Sequence, residues 1–384
     1  MKNRILLKFL AAACLAQPAL LPVASFAGAG TSGGEFLRIV QSPRAVGMGE
    51  SGAGGYGDLL GALALNPASL ARTGYKEAAF TYNSWLEGIT SQQAAYAHPL
   101  DNGRGVLAGS LSLLSVPSID GYNNSGDPAG KVEAGDMAAG VSYAARLGGP
   151  FQDRRSGFFA GGTVKYAREK LDTVSSGAAL FDLGGLWITR VRGGVLGLGL
   201  SAQSLGGGFK FDSEKDAAPT VIRAGASYIT VVAGDPITFS LDWKKPRDTG
   251  GVICAGAEYQ VWRILALRAG YISGEDLGGG LRLGGGVIMK LLQFDYSLSA
   301  YGKFGLAHRF SLSYKFDKPV EVTRYLTREQ EQARQKTELA RVLMQESRYY
   351  EAVLELNAAL TLDPGYKEAL ELMRKARGLV EVSK

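Results

Sequence analysis

Hydrophobic and polar residues alternate along much of this chain, most strictly in the stretch RFSLSYKF, residues 309–316. Phe310, Leu312, Tyr314 and Phe316 fall on one side, and polar or charged residues fall on the other. Successive side chains of an extended chain point to opposite faces of a sheet. The stretch therefore predicts a β-strand with one apolar face and one polar face, and the strand ends on an aromatic residue.

The same texture, about ten alternating residues and then a turn, recurs from residue 78 to residue 316 and predicts fourteen strands. The predicted strands are residues 78–86, 90–100, 105–116, 135–147, 156–168, 177–189, 193–204, 218–230, 235–243, 251–262, 264–273, 278–290, 292–302 and 306–316. A tilted strand of ~9–11 residues spans a bilayer. Soluble sheets alternate too, but fourteen strands are unusually many for one soluble core, and a closed barrel leaves no edge. We therefore predict an all-β transmembrane barrel of antiparallel strands.

The lengths of the connections support this fold. If the first strand starts in the periplasm, the odd-numbered connections face outward, and they include residues 117–134, 169–176, 205–217 and 244–250. The even-numbered ones include the shorter segments 101–104, 190–192, 262–263 and 289–291, with 148–155 as the long exception. Outer-membrane barrels have short periplasmic turns and long outer loops. The pattern favours an outer-membrane barrel surrounded by outer-membrane lipid, with the chain returning to the periplasm after residue 316.

The first 27 residues have the features of a secretory signal peptide. A basic MKNR start and a long apolar segment precede Ser25-Phe26-Ala27, a small-x-small cleavage site. Cys14 leaves a lipoprotein signal open as an alternative. Removing residues 1–27 takes away three basic residues and no acidic ones, so the net charge falls from +6 to +3, which is too mild to indicate nucleic-acid binding. Cys254 is then the only cysteine, so no disulfide framework or thiolate metal site is expected.

Glycine is dense ahead of the first strand. The chain has 53 glycines in 384 residues, about twice the usual ~7%, and they follow no Gly-X-Y period that would indicate collagen. Residues 28–77 are too irregular for an independent fold, although 35–40 and 58–65 are short helical candidates. A large barrel lumen is often plugged. We therefore predict that residues 28–77 form an N-terminal hatch inside the barrel.

After residue 316 the hydrophobic period becomes helical. We predict a linker at 317–326 and a periplasmic α-helical module at 327–384. The module matches the spacing of a tetratricopeptide repeat at six positions that we take as candidate partner-binding residues: Leu339, Tyr349, Ala352, Leu356, Ala359 and Pro364. A single repeat cannot bury its own apolar face. The module is therefore expected to pack on the barrel rim, on another copy, or on a periplasmic or secreted protein.

Residues 31–70 carry the most specific motifs: TSGGEFLRI, then SPRAVGMGES, then NPASLAR before the first strand. In this order of parts the chain resembles the PorV/PorQ family of outer-membrane proteins, which is itself similar to the FadL-like long-chain fatty-acid transporters. The resemblance covers roughly residues 31–316. It implies a fourteen-stranded barrel with a hatch that carries an Asn-Pro-Ala motif, here Asn66, Pro67 and Ala68.

Motifs for catalysis are weak. Residues 52–57 and 28–33 both fit the glycine pattern of a dinucleotide site, but no βαβ unit surrounds either. Residues 30–34 fit a nucleophile elbow without the strand that should precede it. His98 and His308 are isolated, so they form neither a hydrolytic triad nor a metal site. We expect no enzymatic activity, no cofactor and no metal.

Polar residues on the inward strand positions are candidates for lining the lumen: Arg146, Lys165, Arg223, Glu258, Arg268 and Arg309. They would shape a conduit, or they would be the ordinary polar filling of a barrel. The transporter resemblance implies a plugged conduit for small hydrophobic molecules. The PorV/PorQ resemblance implies instead a barrel that receives or anchors exported proteins, with the helical module docking periplasmic partners. A purely structural role is the third alternative.

Overall fold

The computed structural model describes residues 30–55, 57–100, 105–123, 125–149, 156–211, 214–274, 278–316 and 328–382. The predicted signal peptide, Cys14, the turn at 101–104 and the linker at 317–326 lie outside the described residues. The chain forms two compact units, one with the barrel and one with the C-terminal helices, divided between Glu321 and Val322.

Fourteen antiparallel strands close into one barrel, as predicted. They are β1 (Lys76–Ser84), β2 (Thr90–Pro99), β3 (Val106–Tyr122), β4 (Pro128–Gly148), β5 (Gly157–Leu171), β6 (Val174–Val191), β7 (Gly194–Gly206), β10 (Val221–Val232), β11 (Asp235–Pro246), β12 (Val252–Val261), β13 (Leu265–Ile272), β14 (Leu281–Ile288), β15 (Leu292–Ala300) and β16 (Leu306–Phe316). Strands β8 (Phe209–Lys210) and β9 (Lys215–Asp216) form a separate pair in the connection between β7 and β10. The seam closes where β1 pairs with β16, for example Tyr82 opposite Phe310.

The faces of the strands are inverted relative to a soluble protein. In β11, Phe239 and Leu241 point outward and are 51% and 55% exposed, whereas Ser240 and Asp242 point inward and are 6% and 0% exposed. The same division holds for the other strands, so the outer wall is an apolar surface and the inner wall is polar. This is the arrangement of a transmembrane barrel, in which hydrocarbon covers the outward side chains. Among the described helices, none is both long and apolar enough to cross a membrane.

Two predicted outer loops are mostly strand. β3 and β4 pair as far as Tyr122 opposite Pro128, and β5 and β6 pair as far as Leu171 opposite Val174, so 117–134 and 169–176 are long hairpins with tight turns. A bulge after Val116 breaks the alternation there. For this reason the sequence pattern did not predict that the strand continues to Tyr122. We call the end of the barrel at Tyr122 the hairpin end. The opposite end, where β1 begins at Lys76 and β16 finishes at Phe316, is the exit end.

The hatch, residues 30–75, runs through the lumen from the hairpin end to the exit end. It contains two 3-10 helices, Glu35–Arg38 and Pro67–Arg72, and two α-helices, α1 (Pro43–Gly47) and α2 (Leu59–Leu65). At the hairpin end, the Gly33 amide donates to the carbonyl of Ala217 at 3.0 Å. Midway, the Thr81 hydroxyl lies 3.1 Å from the Gln41 carbonyl and 2.9 Å from that of Phe310, so it joins the hatch to both strands of the seam.

Helix caps explain how the two hatch helices begin. Ser42 accepts a hydrogen bond from the Ala45 amide at the start of α1, and Asp58 accepts one from the Gly61 amide at the start of α2. A cap side chain satisfies amides that have no partner within the helix. The Ser42 hydroxyl also donates to Asp58 at 2.8 Å, so one hydrogen bond fixes the two helix starts together.

The second unit consists of α3 (Arg328–Gln345), α4 (Tyr349–Leu362) and α5 (Lys367–Val382). Its core holds Ala352, Leu356 and Ala359, all fully buried. These three repeat positions pack the helices against one another and have no surface to offer a partner. Leu339 and Pro364 are exposed, and Tyr349 is half-buried.

We expect the barrel to assemble without the helical unit. Truncation after Lys318 should leave an inserted barrel that runs anomalously on a gel unless boiled, because β16 is complete at Phe316 and pairs with both neighbours. A matched truncation after Ala300, which removes β16, should abolish this heat-modifiable band. Loss of insertion in the first truncation would show that the helices belong to the barrel fold.

Candidate functional site: the hatch inside the lumen

Glycines on the inner wall bring the hatch backbone into direct contact with the strands. A methyl group added at Gly199 would lie 1.8 Å from the Ala53 carbonyl oxygen, and one at Gly197 would lie 2.1 Å from that of Gly54. Added methyls at Gly256 and Gly270 would lie about equally close to the backbone of Met48 and Gly49. No real side chain fits at such distances. The glycine-rich composition therefore serves in part to seat the hatch on the wall.

A buried carboxylate binds the hatch backbone. Asp242 accepts hydrogen bonds from the amides of Gly52 and Ala53, both at 2.9 Å, and the Ser227 hydroxyl donates to the Gly54 carbonyl at 2.8 Å. This stretch has no regular secondary structure, so its amides depend on wall side chains for partners. Asp242 stands at an inward position of β11, but nothing in the sequence pointed to its role.

Asn66 ties two parts of the hatch to the wall. Its Nδ2 donates to the carbonyls of Ala53 at 2.8 Å and Gly185 at 3.1 Å, and its Oδ1 accepts from the Ala68 amide. Pro67 opens the second 3-10 helix, and its backbone rests on Gly161, where an added methyl would lie 2.6 Å away. The motif reverses the chain and joins the hatch to strand β6.

Arg44 of the hatch enters a buried chain of alternating charges. Its Nη2 lies 2.9 Å from Glu258 Oε1, Arg268 Nε lies 2.6 Å from Glu258 Oε2, and Arg268 Nη1 lies 2.7 Å from Asp295 Oδ1. The charges come from the hatch, β12, β13 and β15. Two of the predicted lumen residues, Glu258 and Arg268, therefore hold the hatch. The sequence did not identify their partners Arg44 and Asp295.

A second group of charges surrounds Glu50. Lys244 Nζ lies 2.7 Å from Glu50 Oε2, and Arg223 lies 3.7 Å from the same oxygen while donating to the Glu50 carbonyl at 3.1 Å. Two cationic side chains of the wall therefore face this one hatch carboxylate inside the lumen. These contacts anchor the middle of the hatch to β10 and β11.

The remaining lumen candidates lie apart from these two groups. Arg309 is stacked 4.6 Å from the centre of the Trp85 ring and donates to Ser299 at 3.1 Å. Lys165 pairs with Asp182 at 2.8 Å. Arg146 donates to the Ser156 carbonyl at about 3 Å, near the exit end. Glu258 and Arg268 pair with each other, the other four take part in separate local contacts, and the six do not converge on one centre.

A cavity of about 90 Å³ remains between the hatch and strands β2 to β7, β10 and β11. Its walls mix apolar side chains such as Phe36, Leu63 and Leu114 with the cationic groups of Lys165, Arg223 and Lys244. The volume is smaller than the ~150 Å³ cavity that admits a benzene molecule. In this conformation the space is large enough for a few waters, and a hydrophobic molecule would enter only if the hatch moved.

The described residues offer no metal centre. No group of three His, Cys, Asp or Glu side chains among them is placed to hold an ion. His98 and His308 lie on the outer wall, where their Nδ1 atoms share hydrogen bonds with the hydroxyls of Tyr96 and Tyr296. Neither histidine faces the lumen.

No protein-family model matches this sequence, and no curated protein matches it. Among solved structures, the toluene transporter TodX of Pseudomonas putida has a TM-score of 0.47 at 12% identity, covering 70% of this chain and 95% of that one. The monoaromatic hydrocarbon channel CymD scores 0.46 at 12% identity, covering 73% and 98%. A FadL homologue of Pseudomonas aeruginosa scores 0.42 at 12% identity, covering 72% and 98%. At these values the likeness carries no argument about the cargo of this chain.

We expect Gly199→Ala to loosen the hatch. The added methyl would collide with the Ala53 carbonyl, and overpacking of this kind costs about 1–3 kcal/mol. Tryptic cleavage after the buried Arg44 should therefore become about tenfold faster. Gly109→Ala is the matched control, because Gly109 points outward with open space around it. Equal cleavage rates in the two variants would show that the hatch does not depend on close contact with the wall.

Proposed function

We propose that this chain is an outer-membrane barrel that conducts small hydrophobic molecules past a movable hatch. The observation that carries the proposal is the filling of a fourteen-stranded lumen by a non-covalently held segment of the same chain. A barrel of this size is wide enough to leak when empty. A plug held by hydrogen bonds and ion pairs closes the lumen and remains able to rearrange.

Apolar clusters at both ends of the lumen support this function. Near the hairpin end, Phe36 of the hatch packs with Phe209 of the β7–β10 connection and with Leu180 of the wall. Near the exit end, Leu59 and Leu60 of α2 pack with small wall residues such as Ala79, Ala97 and Val106. A hydrophobic molecule would meet apolar side chains on either side of the central polar contacts, so its apolar surface would be kept from water at both ends of the path.

A second candidate function is the binding of exported or periplasmic proteins through the helical unit, as the PorV/PorQ resemblance implies. The observation that favours it is the exposure of large apolar side chains on these helices. Val342 is 48% exposed, and Tyr350 and Leu354 are 58% and 67% exposed. Surfaces of this kind commonly mark protein-binding sites. On this hypothesis the unit is periplasmic, because the chain leaves the barrel at the exit end, opposite the long hairpins.

Deleting residues 33–61 should test the conduit. The barrel strands and their seam remain intact in this variant, so we expect an inserted barrel with raised single-channel conductance and raised antibiotic uptake. Replacing Asn66 and Pro67 by alanine should raise both in the same direction by less, since the charged contacts of Arg44 and Glu50 persist. Unchanged permeability in a deletion variant that is shown to be inserted would mean that other groups fill the lumen. The hatch would then not be the gate of a conduit.

The protein-binding hypothesis has a separate test. Val342→Glu with Leu354→Glu should remove proteins that co-purify with the wild type from solubilised outer membranes, because the new charges disrupt an apolar interface. Both positions are exposed, so the helical unit should keep its circular-dichroism spectrum, and conductance should stay unchanged. Glu338→Gln, an exposed neutralising change on the same helix, is the control. Partners retained by the double variant would argue against docking through this surface.

A further inference from the structure

The outer wall carries a groove of about 410 Å³ over Gly285 of β14. Its sides are formed by six outward apolar or aromatic residues: Leu265, Leu267, Val287, Phe294, Tyr296 and Phe310. It lies on the apolar outward face, away from the hatch and from the lumen cavity. The groove therefore opens toward the hydrocarbon of the membrane.

The strand register explains the groove. Leu267, Gly285, Tyr296 and Phe310 stand opposite one another on the neighbouring strands β13 to β16. Gly285 alone in this row lacks a side chain, and a methyl added there would meet only the Ala266 carbonyl, at 3.9 Å. Inward glycines of this barrel make room for the hatch. Gly285 points the other way, so the room it leaves is not used by any described part of the chain.

A polar pair borders the groove on its hairpin-end side. The hydroxyl of Tyr296 and Nδ1 of His308 share a hydrogen bond at 2.9 Å. His308 is the third residue of β16, so at about 3.3 Å per residue it lies within about 10 Å of the strand's start at the hairpin end. A tilted strand spans the hydrocarbon with ~9–11 residues, and β16 has 11 residues, so a position this near its start lies close to the level of the polar head groups. The bond to Tyr296 uses Nδ1 of His308, and the second ring nitrogen can bind an oxygen.

We propose that this groove binds one acyl chain of a membrane lipid whose phosphate-bearing head group contacts the Tyr296–His308 pair. The apolar residues of the groove would contact the acyl chain, and the Tyr296–His308 pair, which lies on the hairpin-end side, would bind the head group. We assign lipid A as this lipid, because the loop lengths place the hairpin end on the outer side and lipid A, which carries phosphate and acyl chains, forms the outer leaflet of an outer membrane. The site holds its lipid in the leaflet that adjoins the hairpin end.

Native mass spectrometry of the purified full-length protein would test the site, with palmitoyl-oleoyl phosphatidylethanolamine or lipid A added in separate titrations. The wild type should retain one lipid at low concentration, and Gly285→Leu should reduce that adduct about tenfold, because leucine fills the space of several methylenes. Gly109→Leu is the matched control, since Gly109 is another outward glycine with open space. Lipid A should give the lower titration midpoint, and a lower midpoint for phosphatidylethanolamine would overturn the assignment to lipid A.

Two more variants separate the groove from the polar pair. Leu267→Trp should also displace the lipid by filling the groove from its side, and it guards against a folding defect specific to position 285. His308→Leu with Tyr296→Phe should weaken the lipid adduct while leaving binding of dodecane, which has no head group, unchanged. Equal lipid retention in the wild type, Gly285→Leu and Leu267→Trp would overturn the proposal. A photo-cross-linking residue placed at position 267 gives an independent check. If it captured a protein and no lipid, that result would also overturn the proposal.

Discussion

The structure depends on one constraint: an irregular peptide must satisfy its backbone polar groups inside a barrel. Unpaired amides and carbonyls are costly once they are removed from water. The wall meets this demand with Asp242 and Ser227, and the hatch residue Asn66 adds a further bond, so that these side chains satisfy the stretch from Gly52 to Gly54. Those bonds form only because glycines let the two backbones approach. Hydrogen bonding and glycine placement are therefore two parts of the same solution.

The buried charges add specificity to this contact. Replacing a buried ion pair by apolar residues is often neutral, but removing one partner costs about 3–5 kcal/mol, because the other charge is left uncompensated. Arg44 and Glu50, both on the hatch, belong to different charge groups, and their partners in the wall stand on different strands. A hatch shifted along the wall would lose both sets of partners at once. The charges thus fix one docked position, and any opening motion must bring water to them.

Much of the barrel could be predicted because the alternation of apolar and polar residues shows which strand positions face the membrane and which face the lumen. The strand count followed from it, and so did the inward placement of residues such as Arg223 and Glu258. The ends of β3 and β4 could not be predicted, since the apolar outward face is no longer required beyond the membrane and the bulge after Val116 breaks the period. The contact between Arg44 and Glu258 joins positions 214 residues apart. No local pattern encodes such a pair, because it depends on the closed barrel and on the path of the hatch through it.

The path of the hatch also links two steps of folding, the seating of the hatch and the closing of the barrel seam. The segment is covalently continuous with β1 at the exit end, it spans the lumen, and its first described residues are held at the hairpin end by Ala217. The seam that encloses it forms between β1 and β16, and β16 is the last strand to be synthesised. The seam closes against the hatch, because the Thr81 hydroxyl of β1 bonds both to the Gln41 carbonyl of the hatch and to the Phe310 carbonyl of β16. Seating of the hatch and completion of the barrel are therefore coupled, and any opening in the intact protein would be a rearrangement of a segment held at both ends.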